Sequence, residues 1–152
     1  MAKNKLAKFA EMETFSNVFQ CAAREASADN PVIQMAGHWR ERYFQNDHPI
    51  VLELGCGRGE YTVGLAQRYP EKNFIGIDIK GARLWKGAKY ATEKPLPNVA
   101  FIRTRIEFIT SLFAPGEVAE IWITFADPQV ITFCGDSIYD PDNWTIRTET
   151  EE

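Results

Sequence analysis

The stretch VLELGCGRGEYTVGLA, residues 51–66, decides the fold. A short apolar run beginning at Ile50 ends in Gly55, Gly57 and Gly59, and apolar residues at helical spacing follow as far as Pro70. The order is strand, turn, helix. Glycine accepts the backbone angles such a turn needs and lets main-chain N–H groups approach a ligand closely, so the turn reads as a loop that holds a nucleotide.

Outward from this unit the pattern repeats. NFIGIDI (73–79) reads as strand and GARLWKGAKYAT (81–92) as helix; VAFIR (99–103) and IEFITSLF (106–113) form the next pair, and VAEIWITF (118–125) a fourth strand. Strands alternating with helices through short turns specify right-handed crossovers and a parallel sheet covered on both faces. The expected fold is α/β, a Rossmann-like sheet that is incomplete, with about four parallel strands and a short tail. Residues 1–48 are mixed in character, with a break at Asn30-Pro31 and a helix expected around MAGHWRERYF (35–44), and read as an N-terminal appendage. Residues 49–129 form the α/β domain and residues 130–152 a divergent acidic tail.

At 152 residues and 45% apolar content the chain supports one domain with a real core. The formal charge of -4 lacks the basic footprint of a duplex-binding protein. The charge is uneven, however: residues 1–129 hold 16 Lys/Arg against 15 Asp/Glu, and residues 130–152 hold 1 against 6. A nucleic-acid partner therefore stays open for the first part, where Lys3, Lys5, Lys8, Lys80, Arg83, Lys86 and Lys89 form local basic groups, as does the plainer reading of a solvated helix face. Cys21, Cys56 and Cys134 form no CxxC pair, and His38 and His48 make no metal-ligand pattern. No metal is expected. The N-terminus has no continuous apolar segment and no long apolar run occurs, so no membrane association and a cytoplasmic location are expected.

The ligand class follows from what the loop lacks. Glu60 stands where a dinucleotide fingerprint wants a third glycine or alanine, and no Gly-Lys-Ser/Thr is present, so pyrophosphate is disfavoured. Glu53 before the glycines suits a ligand that is not polyanionic, and S-adenosyl-L-methionine, with its sulfonium, ammonium and carboxylate, is such a ligand. Asp78, 19 residues after Gly59 at the end of the second strand, can accept hydrogen bonds from ribose hydroxyls. The plainer alternatives are that Glu53 is an ordinary strand-end residue and that Asp78 caps the following helix. In a doubly wound sheet the fourth strand lies beside the first, which brings Asp127 and Pro128 of WITFADPQ to the glycine loop as acceptor-site candidates.

The chain resembles the bacterial tRNA (guanine-N7)-methyltransferases. The matching stretches are KNKLAKFAEMETFSNVF, HWRERYFQNDHPIVLELGCGRGEY, FIGIDIKGARLWKGA, NVAFIRTRIEFI and APGEVAEIWITFADPQ, nearly continuous through Gln129. The resemblance implies an S-adenosylmethionine-dependent methyltransferase sheet and methyl transfer to N7 of a guanine in the tRNA variable loop. It implies that Glu53, the glycines and Asp78 bind the cofactor. It also implies that Asp127, on the acid of a Phe-Pro-Asp-Pro motif, serves both cofactor and catalysis. Arg105 falls on a further cofactor-contacting position that is acidic or amide in many members, and its side chain is assigned no role.

Two departures stand out. Ala126 replaces the first proline of the motif, which loosens the loop, since proline fixes its own backbone angle and restrains the residue before it. After Gln129 the family continues with basic sequence, another helix and further strands, whereas this chain reads VITFCGDSIYDPDNWTIRTETEE. GDSIYD and TIRTETEE resemble a segment nearer the family's C-terminus, with Thr148 and Glu151 on a substrate-contacting Thr-x-x-Glu motif. A block after Gln129 is thus expected to be absent and the C-terminus shortened. The fourth strand is then expected to show an unpaired edge, partly covered by VITF and open to self-association. Loss of the basic run weakens the grip on tRNA. The competing reading is a catalytically inactive cofactor-binding remnant or interaction subunit.

Overall fold

The structure is a computed structural model that describes residues 4–22 and 27–123 and the backbone of 145–148. Six parallel strands form one sheet: β1 (Val18–Cys21), β2 (Ile50–Leu54), β3 (Asn73–Asp78), β4 (Val99–Thr104), β5 (Val118–Ile123) and β6 (Thr145–Thr148), in the order β1-β4-β3-β2-β5-β6. The four strands read from the sequence occupy the middle. From β2 the chain moves outward to β3 and β4 and then returns to β5 on the other side of β2. That reversal opens a crevice at the carboxyl ends of β2 and β5.

The helices are α1 (Lys5–Met12), α2 (Glu60–Arg68), α3 (Gly81–Glu93) and α4 (Ile109–Leu112). The α1 helix, unforeseen in the sequence, starts at Asn4, whose side chain accepts from the Ala7 N–H at 2.8 Å. The helix expected around residues 35–44 is a short π-helix, Trp39–Phe44, ended by Gln45 at φ 58°. IEFITSLF divides into a 3-10 turn, Ile106–Phe108, and the single turn of α4.

Strand alternation sorts the core into two layers. Leu52, Leu54, Ile75, Ile77, Ala100, Ile102, Ile121 and Ile123 meet Trp39, Phe44, Leu112 and Phe113 on one face. Val51, Phe74, Val99, Phe101 and Trp122 meet Met12, Val63, Ala66, Leu84 and Ala88 on the other, beneath α1, α2 and α3. Glu53 has the same parity as Val51 and so points toward α2.

Two results alter the edges of the expected sheet. β1 lies within the segment read as an appendage and pairs with β4 from Val18↔Phe101 to Cys21↔Thr104. β5 is not an open edge: β6 pairs with it from Glu120↔Thr145 to Ile123↔Thr148. VITF, proposed as the cover for that edge, lies outside the described residues. The segment before β2 is also tied in by Glu117, whose buried carboxylate accepts from the N–H groups of Gly37, Trp39 and Ala114 at 2.8, 3.3 and 2.9 Å.

Candidate cofactor site at the glycine loop

Gly55, Gly57 and Gly59 all take left-handed backbone angles, with φ of 69°, 58° and 77°. Side-chain-bearing residues rarely adopt these angles, which explains the spacing of the motif. The N–H groups of Gly55 and Cys56 both donate to the Ile77 carbonyl, at 2.8 and 3.0 Å, pinning the loop to the end of β3. A Cβ on Gly55 or Gly57 would meet nothing within 4 Å among the described residues. No described side chain fills the space before these two glycines.

Gly59 has a different task. A Cβ there would lie 2.7 Å from Phe101 Cε1, and one on Gly87 of α3 would lie 2.7 Å from the Arg58 carbonyl oxygen and 2.9 Å from Phe101 Cζ. Phe101 is fully buried beneath both. The third glycine therefore sets how closely the loop, α3 and β4 approach. Gly87 was not singled out in the sequence, although a glycine inside a helix costs about 1 kcal/mol relative to alanine and so signals a packing need.

Asp78 connects the loop to the next turn. Its Oδ2 accepts from the Gly57 N–H at 2.9 Å and its Oδ1 from the Lys80 N–H at 2.9 Å. The second bond closes a turn before α3, whose N-cap is Lys80 with no side-chain cap hydrogen bond, while the first ties Asp78 to the glycine loop. An ionised carboxylate has about four lone-pair positions, so acceptor capacity is left for ligand hydroxyls.

Glu53 is buried at 3% exposure and its Oε1 accepts from the Thr62 hydroxyl at 2.6 Å. Thr62 lies in the first turn of α2, and its only signal in the sequence is a polar side chain among helix-spaced apolar residues. Burial raises the Cys56 thiol well above its ordinary range, and the charges of Glu53 and Asp78 raise it further. The Cys56 thiol is thereby held protonated, and the loop has two acidic side chains, Glu53 and Asp78, close beside it. Acidic side chains at this place disfavour a polyphosphate ligand.

The remaining candidates are not brought to this point by described side chains. Asp127 and Glu151 lie outside the described residues; of Thr148 the backbone is described, opposite Ile123 at the carboxyl end of β5. Arg105 pairs with Glu107 at 3.0 Å, both exposed. A groove of about 440 Å³ lies between α2 and α3, lined by Arg58, Gly59, Val63, Trp85 and Gly87 among others, and none of Glu53, Gly55, Gly57 or Asp78 borders it. Among the described residues no group of three His, Cys, Asp or Glu side chains is placed to hold a metal, and no helix is long and apolar enough to cross a membrane.

A family model described as "Putative methyltransferase" matches residues 47–130. A tRNA (guanine-N(7)-)-methyltransferase of Christiangramia forsetii is 64% identical over 129 residues, covering 85% of this chain and 57% of the relative. Its counterpart in Bacteroides thetaiotaomicron is 55% identical over 130 residues, covering 86% of this chain and 51% of the relative. The chain thus spans about half the length of the curated relatives it matches. In fold alone it is similar to the crystal structure of the 16S rRNA methyltransferase KamB, with a TM-score of 0.59 at 18% identity over 71% of this chain and 56% of that one. With the sheet order, the glycine loop and these matches together, the chain belongs to the tRNA (guanine-N7)-methyltransferase family.

Proposed function

We propose that this chain binds S-adenosyl-L-methionine and acts, in the cytoplasm, in methyl transfer to N7 of a guanine in the variable loop of tRNA. The observation that carries the reading is the left-handed glycine turn tied to Asp78 through the Gly57 N–H. When bound, S-adenosylmethionine supplies an electrophilic methyl group on its sulfonium. Gly55 and Gly57 leave room for it, Asp78 accepts from its ribose, and the Glu53 and Asp78 charges favour its cationic groups. Gly59 keeps the turn seated on α3.

Guanine N7 carries a free lone pair and no proton, so the acceptor needs orientation more than a strong base. Asp127 is proposed to accept hydrogen bonds from the guanine edge and to complete the cofactor pocket, and Thr148 and Glu151 to contact the tRNA. These three roles come from the resemblance of their sequence motifs.

The test is methyl incorporation from labelled S-adenosylmethionine into tRNA that lacks the modification, run beside calorimetric cofactor binding. Incorporation at guanine N7, abolished by Asp127→Ala, is the expected result. Cofactor binding without incorporation selects the inactive cofactor-binding remnant instead. Absence of both binding and incorporation in a folded protein defeats the proposal.

A further inference from the structure

Arg103, next to last in β4, lies in register between Asp78 on β3 and Gln20 on β1. Its Nη1 donates to Gln20 Oε1 at 3.1 Å and its Nε to the Ile79 carbonyl at 3.3 Å. Its guanidinium carbon stands 4.6 Å from the centroid of the Phe9 ring on α1. Gly81, the first residue of α3, makes room for this stack, since a Cβ there would come 2.5 Å from Phe9 Cε1 and 2.8 Å from Arg103 Cδ.

These contacts join α1 and β1 to the turn that carries Asp78. The carboxylate of Asp78 is anchored by Gly57 and Lys80, and Arg103 holds the carbonyl of the residue in between. The Ile79 side chain, 49% exposed, adds little packing to fix that turn. A guanidinium suits the position because its plane stacks on an aromatic ring while its edge donates in several directions, which a lysine ammonium cannot do at once.

We propose that Arg103 is a positioning residue for the cofactor: it aims Asp78 at the ribose by holding the Ile79 carbonyl, with Phe9 and Gln20 of the N-terminal segment bracing it. The proposal rests on the reading of Asp78 as the ribose acceptor. It makes the segment before β2 a support of the cofactor site.

The experiment titrates S-adenosylhomocysteine and its 2′,3′-dideoxy analogue into the native chain, Arg103→Met and Arg103→Lys. The native chain is expected to prefer the hydroxylated ligand by about tenfold, the factor of a single hydrogen bond to a charged group. Arg103→Met weakens the hydroxylated ligand selectively, so the preference collapses toward unity, and Arg103→Lys restores only part of it. A merely structural loss would weaken both ligands alike and overturns the proposal, as does a preference retained in full by Arg103→Met. A native chain with no preference refutes the Asp78 reading and the proposal with it. Should Arg103→Met not fold, by circular dichroism, Phe9→Leu decides: a reduced preference supports the proposal and a native one overturns it.

Discussion

The Gly57 N–H donates to Asp78 Oδ2 at 2.9 Å, joining the glycine loop after β2 to the end of β3 across 21 residues of chain. The same carboxylate therefore ties the loop to the turn that follows β3. Asp78→Asn keeps the size of the side chain but removes its charge and half of its acceptor capacity. Affinity for S-adenosylmethionine is expected to fall by about ten- to a hundredfold, as lost hydrogen bonds to a charged group imply. Calorimetric titration checks this, and a native dissociation constant would remove Asp78 from the site.

Two glycines in neighbouring helices make a matched comparison. At Gly87 a Cβ would press on the Arg58 carbonyl, which is backbone and cannot swing away, whereas at Gly64 it would meet nothing within 4 Å among the described residues. Gly87→Ala should cost about 1–3 kcal/mol through overpacking despite alanine's better helix propensity, and should weaken cofactor binding by displacing the loop. Gly64→Ala should instead stabilise by about 0.5–1 kcal/mol. Chemical denaturation of both variants measures the contrast; equal effects would show that the Arg58–Gly87 approach is not tight.

The Thr62 hydroxyl donates to a carboxylate that is almost fully buried. Thr62→Val preserves shape and deletes the donor, so a loss of about 1–3 kcal/mol is expected, while Thr62→Ser keeps the donor and loses less. Urea midpoints distinguish the two. A native midpoint in Thr62→Val would show that the hydrogen bond adds nothing to stability, and a larger loss in Thr62→Ser would assign the site's contribution to packing of the methyl group instead.

Alkaline pH should unfold the chain through groups held protonated by burial. Burial pushes the Tyr43 phenol from 10.0 to about 12, and its hydroxyl donates to the Val99 carbonyl at 2.6 Å. The unfolded chain releases this proton near 10.0 and the folded chain only near 12, so the stabilisation is complete below pH 10.0 and is lost as pH rises toward 12. Cys56 acts in the same direction, because its thiol is also raised in the folded state. Stability measured from pH 8 upward should fall, and Tyr43→Phe should flatten the fall across the Tyr43 window. An unchanged slope in Tyr43→Phe would exclude the phenol as its source.

How much was legible in the sequence depended on whether its signal was local. The spacing of Gly55, Gly57 and Gly59 after an apolar run marked a strand-to-helix turn, and all three glycines do adopt left-handed angles. The central strands were legible because a strand buried on both faces is written as a continuous apolar run. By contrast, β1 is four residues long and has one buried residue, Cys21, so no pattern distinguished it from a loop. It became a strand through its pairing with β4. The same is true of β6, whose TIRT is polar and is a strand by virtue of lying along β5.

The sequence by itself thus determined the alternation of strands and helices, the glycine turn, and the acids Glu53 and Asp78 beside it. Local chain geometry and the period of apolar residues suffice for those. Only the tertiary structure decided that Glu53 is buried against Thr62, that Gly87 admits the Arg58 carbonyl, and that Arg103 joins Phe9 and Gln20 to the Asp78 turn. Each of these depends on two segments far apart in the chain meeting at a fixed distance, and sheet order and close packing set that distance.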